Sequence, residues 1–315
     1  MNSTTVAGRE RQYIFGPVPS RRLGRSLGVD LVPFKTCTYD CIYCQLGKTT
    51  HKTIERKEWV PIDIVIEQLK AKLRSKPDYI TLSGSGEPTL FSKLEELISR
   101  TKEITDVPVA VLTNGSLLWL PEVRNSLKLA DLVVPSLDAG SNQIFQYVNR
   151  PHSDINFSKM LEGLVKFRNE YNGKYWLEVF ILAGVTTPQT QVNKFRKCIN
   201  AIKPDLVQVN TVTRPPAEKF ADPVPQKQLE QITADLYKEA EVIADYKDVH
   251  KEKDFTARRE DILTLLQRRP CSIEDIAAGL GLHRNEVVKY IEELSAEGKI
   301  EARPQNQQLY YKALT

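Results

Sequence analysis

The chain has 315 residues, 41% of them apolar, and a formal net charge of +4, which is enough for one large buried core with an appendage. No stretch approaches 18 uncharged apolar residues, and the opening MNSTTVAGRERQYIF lacks the apolar centre of a signal peptide. Membrane insertion and secretion are therefore set aside and the chain is placed in the cytoplasm. Three of the five cysteines cluster at Cys37, Cys41 and Cys44, which fits metal ligation or redox chemistry in a reducing compartment better than a disulfide framework.

Residues 1–60 carry ten Lys/Arg against five Asp/Glu, with Arg21, Arg22 and Arg25 just ahead of the cysteines, a local excess suited to an anionic ligand. A strand is expected at 28–33. A helix follows from 62 to 73, with apolar Ile62, Ile64, Val65, Leu69 and Leu73 on one face. Further strands are expected at 78–84, 107–113, 130–137, 175–184 and 205–212, separated by amphipathic stretches. This spacing predicts an α/β chain with a parallel sheet, either a partial barrel or a doubly wound sheet, whose ligands sit at the carboxyl ends of the strands. Those ends carry hydrogen-bonding sequence: SGSGEPT, TNGS, SLDAG and NTVTRPP.

Residues 224–246 read as one long helix with no strand after it, and 247–255 as a charged linker. A small unit then follows: helices at 258–268, 272–279 and 284–295, and two strand-like pieces around a polar turn. Ser272 with Asp275 marks a helix start, and Gly279 and Gly281 interrupt the chain. This is the outline of a winged helix-turn-helix, giving domains 1–246 and 256–315. The candidate reading helix offers Arg284, Asn285, Lys289 and Tyr290 beside three glutamates, and the wing only Arg303 and Lys312. That is thin for phosphate contacts, so recognition of an RNA or protein substrate is favoured over operator binding.

A structural zinc wants four ligands, and beyond the three cysteines only His51 in an unpatterned loop could complete the set. A four-iron cluster with three cysteines keeps one iron open. Cys37-x₃-Cys41-x₂-Cys44, with Tyr43 before the last cysteine, resembles the CxxxCxΦC signature of the radical S-adenosylmethionine (SAM) superfamily. GSGEPT, TNG and SLD are similar to that family's cofactor-contacting strand ends. The resemblance covers residues 12–215 and extends to a group distantly similar to tRNA wyosine synthetases. It implies a partial (β/α)₆ barrel and a [4Fe-4S] cluster held by Cys37, Cys41 and Cys44. It further implies SAM on the open iron and reductive cleavage to a 5′-deoxyadenosyl radical, with electrons from a donor such as a flavodoxin or ferredoxin.

The same resemblance puts Tyr43 by the adenine, and leaves the backbone of Gly84 and Gly86, beside Glu87, open to the methionyl ammonium. It assigns Asn114, Ser136 and Asp138 to the carboxylate or ribose hydroxyls, and Asn210 to the adenine edge. Cys198 reads as a small buried hydrophobe, and neither it nor Cys271 marks a second cluster. Arg21, Arg22 and Arg25 lie just upstream of the first strand, and Arg150 and Arg214 are expected near the mouth; arginines so placed would read phosphate or carboxylate. The rival readings are an iron–sulfur redox sensor that binds DNA through the winged unit, and a protein-binding adaptor with structural zinc.

Overall fold

Short runs in which apolar residues alternate with polar or small ones fold as strands whose two faces meet different surroundings. The computed structural model describes residues 5–6, 9–10, 12–20, 22–244, 259–280, 282, 284–305 and 308–314. One sheet contains β1 (Ile14–Ser20), β2 (Gly24–Asp30), β3 (Tyr79–Ser83), β4 (Val109–Thr113), β5 (Leu132–Pro135), β6 (Lys174–Phe180), β7 (Leu206–Asn210) and β8 (Ala240–Val242). Sheet order follows chain order throughout, and every pair is parallel except β1 with β2. A doubly wound sheet reverses at a switch point. Here nothing reverses, so the crossover helices share one face and the sheet curls into a partial barrel, open between β1 and β8.

The outer face carries Leu27, Val29, Ile80, Leu82, Val109 and Val111, all buried in the main core. Over it lie α1 (Ile62–Lys72), α2 (Leu94–Ile104), α3 (Pro121–Leu127), α4 (Asn142–Val148), α5 (Phe157–Glu170), α6 (Gln189–Ile202) and α7 (Gln226–Leu236). Their apolar residues recur at helical spacing, as with Leu94, Leu97 and Ile98 in α2. Cys198 does the same in α6 and is buried there as expected. On the inner face, Leu23, Ala110, Leu132 and Val134 plug part of the lumen with help from Trp176. The remaining inward positions, among them Ser26, Thr81, Ser136, Glu178 and Asn210, line a cavity.

Two strands depart from the expected outline. The stretch read as one long helix ends at Leu236; Tyr237 is extended (φ −159°) and β8 then pairs with β7, Val207 opposite Ala240. Val242 and Ile243 favour a strand there, and Ile243 lies buried. β1 carries Pro17 and Pro19, which suit an edge position where no ladder donor is needed. Its pairing with β2 is interrupted by an irregularity between Phe15 and Val18.

The C-terminal unit comprises α8 (Arg259–Arg268), α9 (Ile273–Leu280), α10 (Arg284–Ala296) and the hairpin β9 (Ile300–Gln305) with β10 (Gln308–Ala313). The expected start of α9 is a reciprocal cap: Ser272 N donates to Asp275 Oδ2 and Asp275 N to Ser272 Oγ, each at 3.1 Å. The unit does not stand apart. Phe15 and Val18 of β1 share its core with Leu265, Ile276 and Leu280, so the exposed edge of the sheet is covered. Lys72 of α1 pairs with Asp261 at 2.8 Å, and Tyr310 Oη donates to Thr213 O beyond β7 at 3.0 Å. The expected linker 247–255, Arg21, Gly281 and the side chains of Arg284, Asn285 and Lys289 lie outside the described residues.

Candidate active site

The loop after β2 carries the three clustered cysteines, all unpaired thiols and all partly exposed. Each sulfur receives a nitrogen donor: Lys35 Nζ to Cys44 at 3.2 Å, Asn149 Nδ2 to Cys41 at 3.4 Å, and Asn114 Nδ2 to Cys37 at 3.5 Å. Lys35 reaches its position through a left-handed backbone (φ 58°). As thiols they are hard to ionise. Burial, with Glu87 nearby, pushes Cys37 up to about 12, and burial with Asp138 and the other two cysteines raises Cys41 well above its ordinary range. Deprotonation there calls for positive charge from a bound metal. Among the described residues no three His, Cys, Asp or Glu side chains converge as a single-ion site. A cluster binds each thiolate to a different iron and needs no such convergence, so the donor set fits it.

Glu87 is the hub beneath this loop. It is 2% exposed. Its Oε1 accepts from Thr89 N (3.1 Å), Thr89 Oγ1 (2.6 Å) and Thr113 Oγ1 (2.5 Å), and its Oε2 from Asn114 N (2.8 Å). Its own N–H donates to Thr36 O at 3.1 Å. The carboxylate thus ties the segment after β3 to the end of β4, and the residue's backbone N–H ties both to the cysteine loop. Burial raises its pKa and these donors oppose the rise. The two glycines serve the same packing: a Cβ on Gly86 would run into Thr36 O, and one on Gly84 (φ +89°) into Asp30. Their lack of side chains is therefore required by the fold, whereas the sequence reading tied it to a ligand. Gly86→Ala is expected to cost about 1–3 kcal/mol through overpacking against backbone, measured by denaturant unfolding against wild type. Asn114 is likewise engaged, with Nδ2 to Thr38 Oγ1 at 2.7 Å and Oδ1 accepting from Ser116 N at 2.9 Å.

Above the hub lies a cavity of about 380 Å³. Of the sequence-chosen residues, Tyr43, Cys44, Gly84, Ser136, Asp138 and Asn210 line it, while Gly86, Glu87 and Asn114 support it from below. Tyr43 stacks on Phe180 (centroids 3.9 Å apart, 14° between planes) and donates from Oη to Asp138 Oδ2 at 2.6 Å. Asn149 Nδ2 donates to the same oxygen at 2.7 Å. Asp138 Oδ1 is buried and meets no side-chain donor among the described residues, while the Phe180 backbone N–H lies beside the carboxyl and opposes the rise that burial imposes. Asn210 Nδ2 donates to Glu178 Oε1 at 2.9 Å, and its Oδ1 accepts from Thr211 N.

Burial raises Asp138 to about 6, against the ordinary 3.8. The folded chain holds this proton more tightly than the unfolded one, so its contribution to stability is present at low pH and is lost as pH rises from about 4 through 6. Asp138→Asn is expected to remove that loss, on the order of 2–3 kcal/mol. Melting temperatures of both proteins between pH 4 and 7 should therefore converge at the acid end and favour the variant at neutrality; parallel curves would refute the assignment.

The arginines sort differently from expectation. Arg22 lies in the cavity wall, with Nη1 at 2.7 Å from Glu178 Oε2, and Arg214 donates to Gln45 Oε1 at 3.0 Å. Arg25 instead hydrogen-bonds Ser75 O, and its backbone N–H donates to Asp78. Arg150 pairs with Glu218 at 2.7 Å. Neither Arg25 nor Arg150 lines the cavity. Lys35, Asn149, Phe180, Arg268 and Arg269 were missed. Asn149 stands in the NRP tripeptide next to Arg150 and could have been noticed; Arg268 and Arg269 look like the ordinary basic end of a helix.

The comparisons agree with this architecture. Residues 31–189 match the family described as Radical SAM superfamily, and residues 258–312 one described as an HTH domain. The fold resembles the crystal structure of a radical SAM methyltransferase from Sphaerobacter thermophilus, with a TM-score of 0.53, 15% identity and coverage of 69% of this chain and 66% of that one. The chain belongs to the radical SAM superfamily, whose fold implies SAM and iron–sulfur binding. Within it, the chain belongs to the UPF0026 family: it is 35% identical over 279 residues to a UPF0026 protein of Helicobacter pylori, covering 86% of this chain and 88% of that protein. It is also 39% identical over 312 residues to a Brachyspira hyodysenteriae protein named GTPase Obg, covering 98% of this chain but only 46% of that protein. The chain thus spans about half the length of that relative. No helix among the described residues is long and apolar enough to cross a membrane.

Proposed function

We propose that Cys37, Cys41 and Cys44, as thiolates, hold three irons of a [4Fe-4S] cluster whose fourth iron is open to SAM. The observation that carries this reading is three thiols, each with a nitrogen donor on its sulfur, set beside a cavity lined by Cys44 and Tyr43. When bound, the cluster and SAM supply one-electron cleavage to methionine and a 5′-deoxyadenosyl radical that takes hydrogen from a substrate. The chain's own part is to position and to exclude water. Lys35, Asn114 and Asn149 offset negative charge on the sulfurs and so favour reduction. Tyr43, held flat by Phe180, offers a shelf for the adenine. Asp138, an acceptor in the cavity wall, suits a ribose hydroxyl and repels a carboxylate. Ser136 and Asn210 line the remaining wall. Glu87, Gly84 and Gly86 act through the geometry they impose on the cysteine loop.

The five free thiols fit a reducing cytoplasm. A flavodoxin or ferredoxin would supply the electron, and the C-terminal unit serves substrate recognition. In the test, the protein is reconstituted anaerobically with iron and sulfide, reduced with dithionite and given SAM, and 5′-deoxyadenosine is followed by chromatography. Its formation is the expected result. A reducible cluster that binds no SAM and yields none would end this reading and favour an iron–sulfur sensor.

A further inference from the structure

We infer that the C-terminal unit supplies one wall of the substrate site, and that this wall binds the phosphate or carboxylate group of a small anionic substrate. The inference rests on the radical SAM reading for its chemistry, and on the cavity itself for its binding.

Among the described residues that line the cavity are four arginines, Arg22, Arg214, Arg268 and Arg269, against two acids, Glu178 and Asp138. The arginines come from three separate segments: the turn between β1 and β2, the loop after β7 and the end of α8. A helix C-terminus favours cations, which accounts for basic residues at the end of α8. It does not account for Arg22 and Arg214 meeting them across the same space. Asp138 is turned toward Tyr43 and Asn149 on the cysteine side, and Glu178 toward Arg22 and Asn210. With Asp30, which pairs with Arg268, counted beside these two acids, four guanidiniums stand against three carboxylates, a positive excess between low-dielectric walls that focuses potential on an anion. Guanidinium forks match the planar geometry of carboxylate and phosphate oxygens.

The unit is fastened to both rims of the cavity. Arg268 pairs with Asp30 at the end of β2 and donates to Ser85 Oγ at 3.1 Å, beside Gly84, and to Gln12 O at 2.7 Å. On the far side Tyr310 holds Thr213, next to Arg214. Arg214 in turn reaches Gln45, one residue beyond Cys44. The anion site therefore adjoins the cysteine loop, and the bond to be attacked lies a short molecule's length from the charged group. A volume of about 380 Å³ is that of a small-molecule site.

The test titrates inorganic phosphate and, separately, malonate into the cluster-reconstituted full chain by calorimetry, in wild type, Arg269→Gln, Arg269→Lys and Arg214→Gln. At least one anion should bind saturably with SAM present, and each Gln variant should weaken it by about tenfold or more through loss of a charge-assisted hydrogen bond. Arg269→Lys should recover part of the affinity. Which anion binds separates a phosphate from a carboxylate substrate. Absence of saturable binding by either anion, or binding indifferent to both Gln variants, overturns the inference. Loss of binding on saturation with SAM assigns the wall to the cofactor's own carboxylate and overturns it as well. Deoxyadenosine formation in the same preparation is a separate readout: its absence would sink the radical reading while leaving anion binding where it stands. Melting curves establish that each variant is folded; should Arg214→Gln fail to fold, the two Arg269 variants carry the test.

Discussion

Cys41→Ala is expected to reduce deoxyadenosine formation by about 10²-fold or more, since loss of a ligand exceeds the effect of losing a second-layer partner, and to lower iron content with it. Cys41 is the middle of the three, flanked by both other thiols and by Asp138. Its removal leaves two ligands, too few to leave a single iron open in a defined place. Cys37→Ala and Cys44→Ala should behave alike. Cys198→Ala is the contrast: that thiol lies inside α6, packed in the main core, and its loss should leave iron content and visible absorption unchanged while costing a little stability. Equal iron loss from Cys198→Ala, or a full complement of iron in Cys41→Ala, would contradict the assignment.

The second large effect is on stability. Glu87→Ala removes the acceptor for four donors. The two hydroxyls can rotate toward other partners, but Thr89 N and Asn114 N cannot, and a stranded buried donor costs about 1–3 kcal/mol. With the filling of the side chain lost as well, the sum is about 3–5 kcal/mol, comparable to breaking a buried ionic network. Glu87→Gln should recover little, because its amide nitrogen would face a donor wherever it is turned. Denaturant unfolding checks both. The more telling readout is iron uptake: since the Glu87 carboxylate holds the backbone of Asn114, whose Nδ2 reaches the Cys37 sulfur, cluster assembly should fall in the variants even at temperatures where the fold persists. A Glu87→Gln protein of wild-type stability and iron content would show that the hub is dispensable.

The parts of this architecture that were legible in the sequence are those governed by local pattern. β3 to β7 follow from alternation, the helices of the C-terminal unit from helical spacing, and the cysteine loop from its own spacing, whereas the strand expected at 28–33 lies earlier, at Gly24–Asp30, where pairing with β1 and β3 sets its limits. β1 and β8 were not visible, because strands rich in proline or three residues long carry almost no periodic signal. They exist by virtue of the neighbour they pair with. The site residues divide on similar lines. Ser136 and Asp138 follow the end of β5, Tyr43 lies in the cysteine loop, and all three line the cavity. Glu87 was singled out as a ligand contact, yet its hydrogen bonds make it a strut, a distinction that depends on Thr89, Thr113 and Asn114 converging in space. Arg268 and Arg269 were invisible for a related reason: nothing in a helix-terminal pair of arginines says that the helix will be laid against a strand from the other end of the chain.

That last juxtaposition fixes a timetable. β1 is synthesised well before α8 to β10, yet Phe15 and Val18 are finished only when Leu265, Ile276 and Leu280 arrive. During synthesis, at about 5–20 residues per second, the barrel waits with its first strand uncovered and its cavity lacking a wall. The cysteine loop therefore has its widest approach before α8 to β10 are made, and the arrival of the wall narrows the way in for whatever the cysteines are to hold.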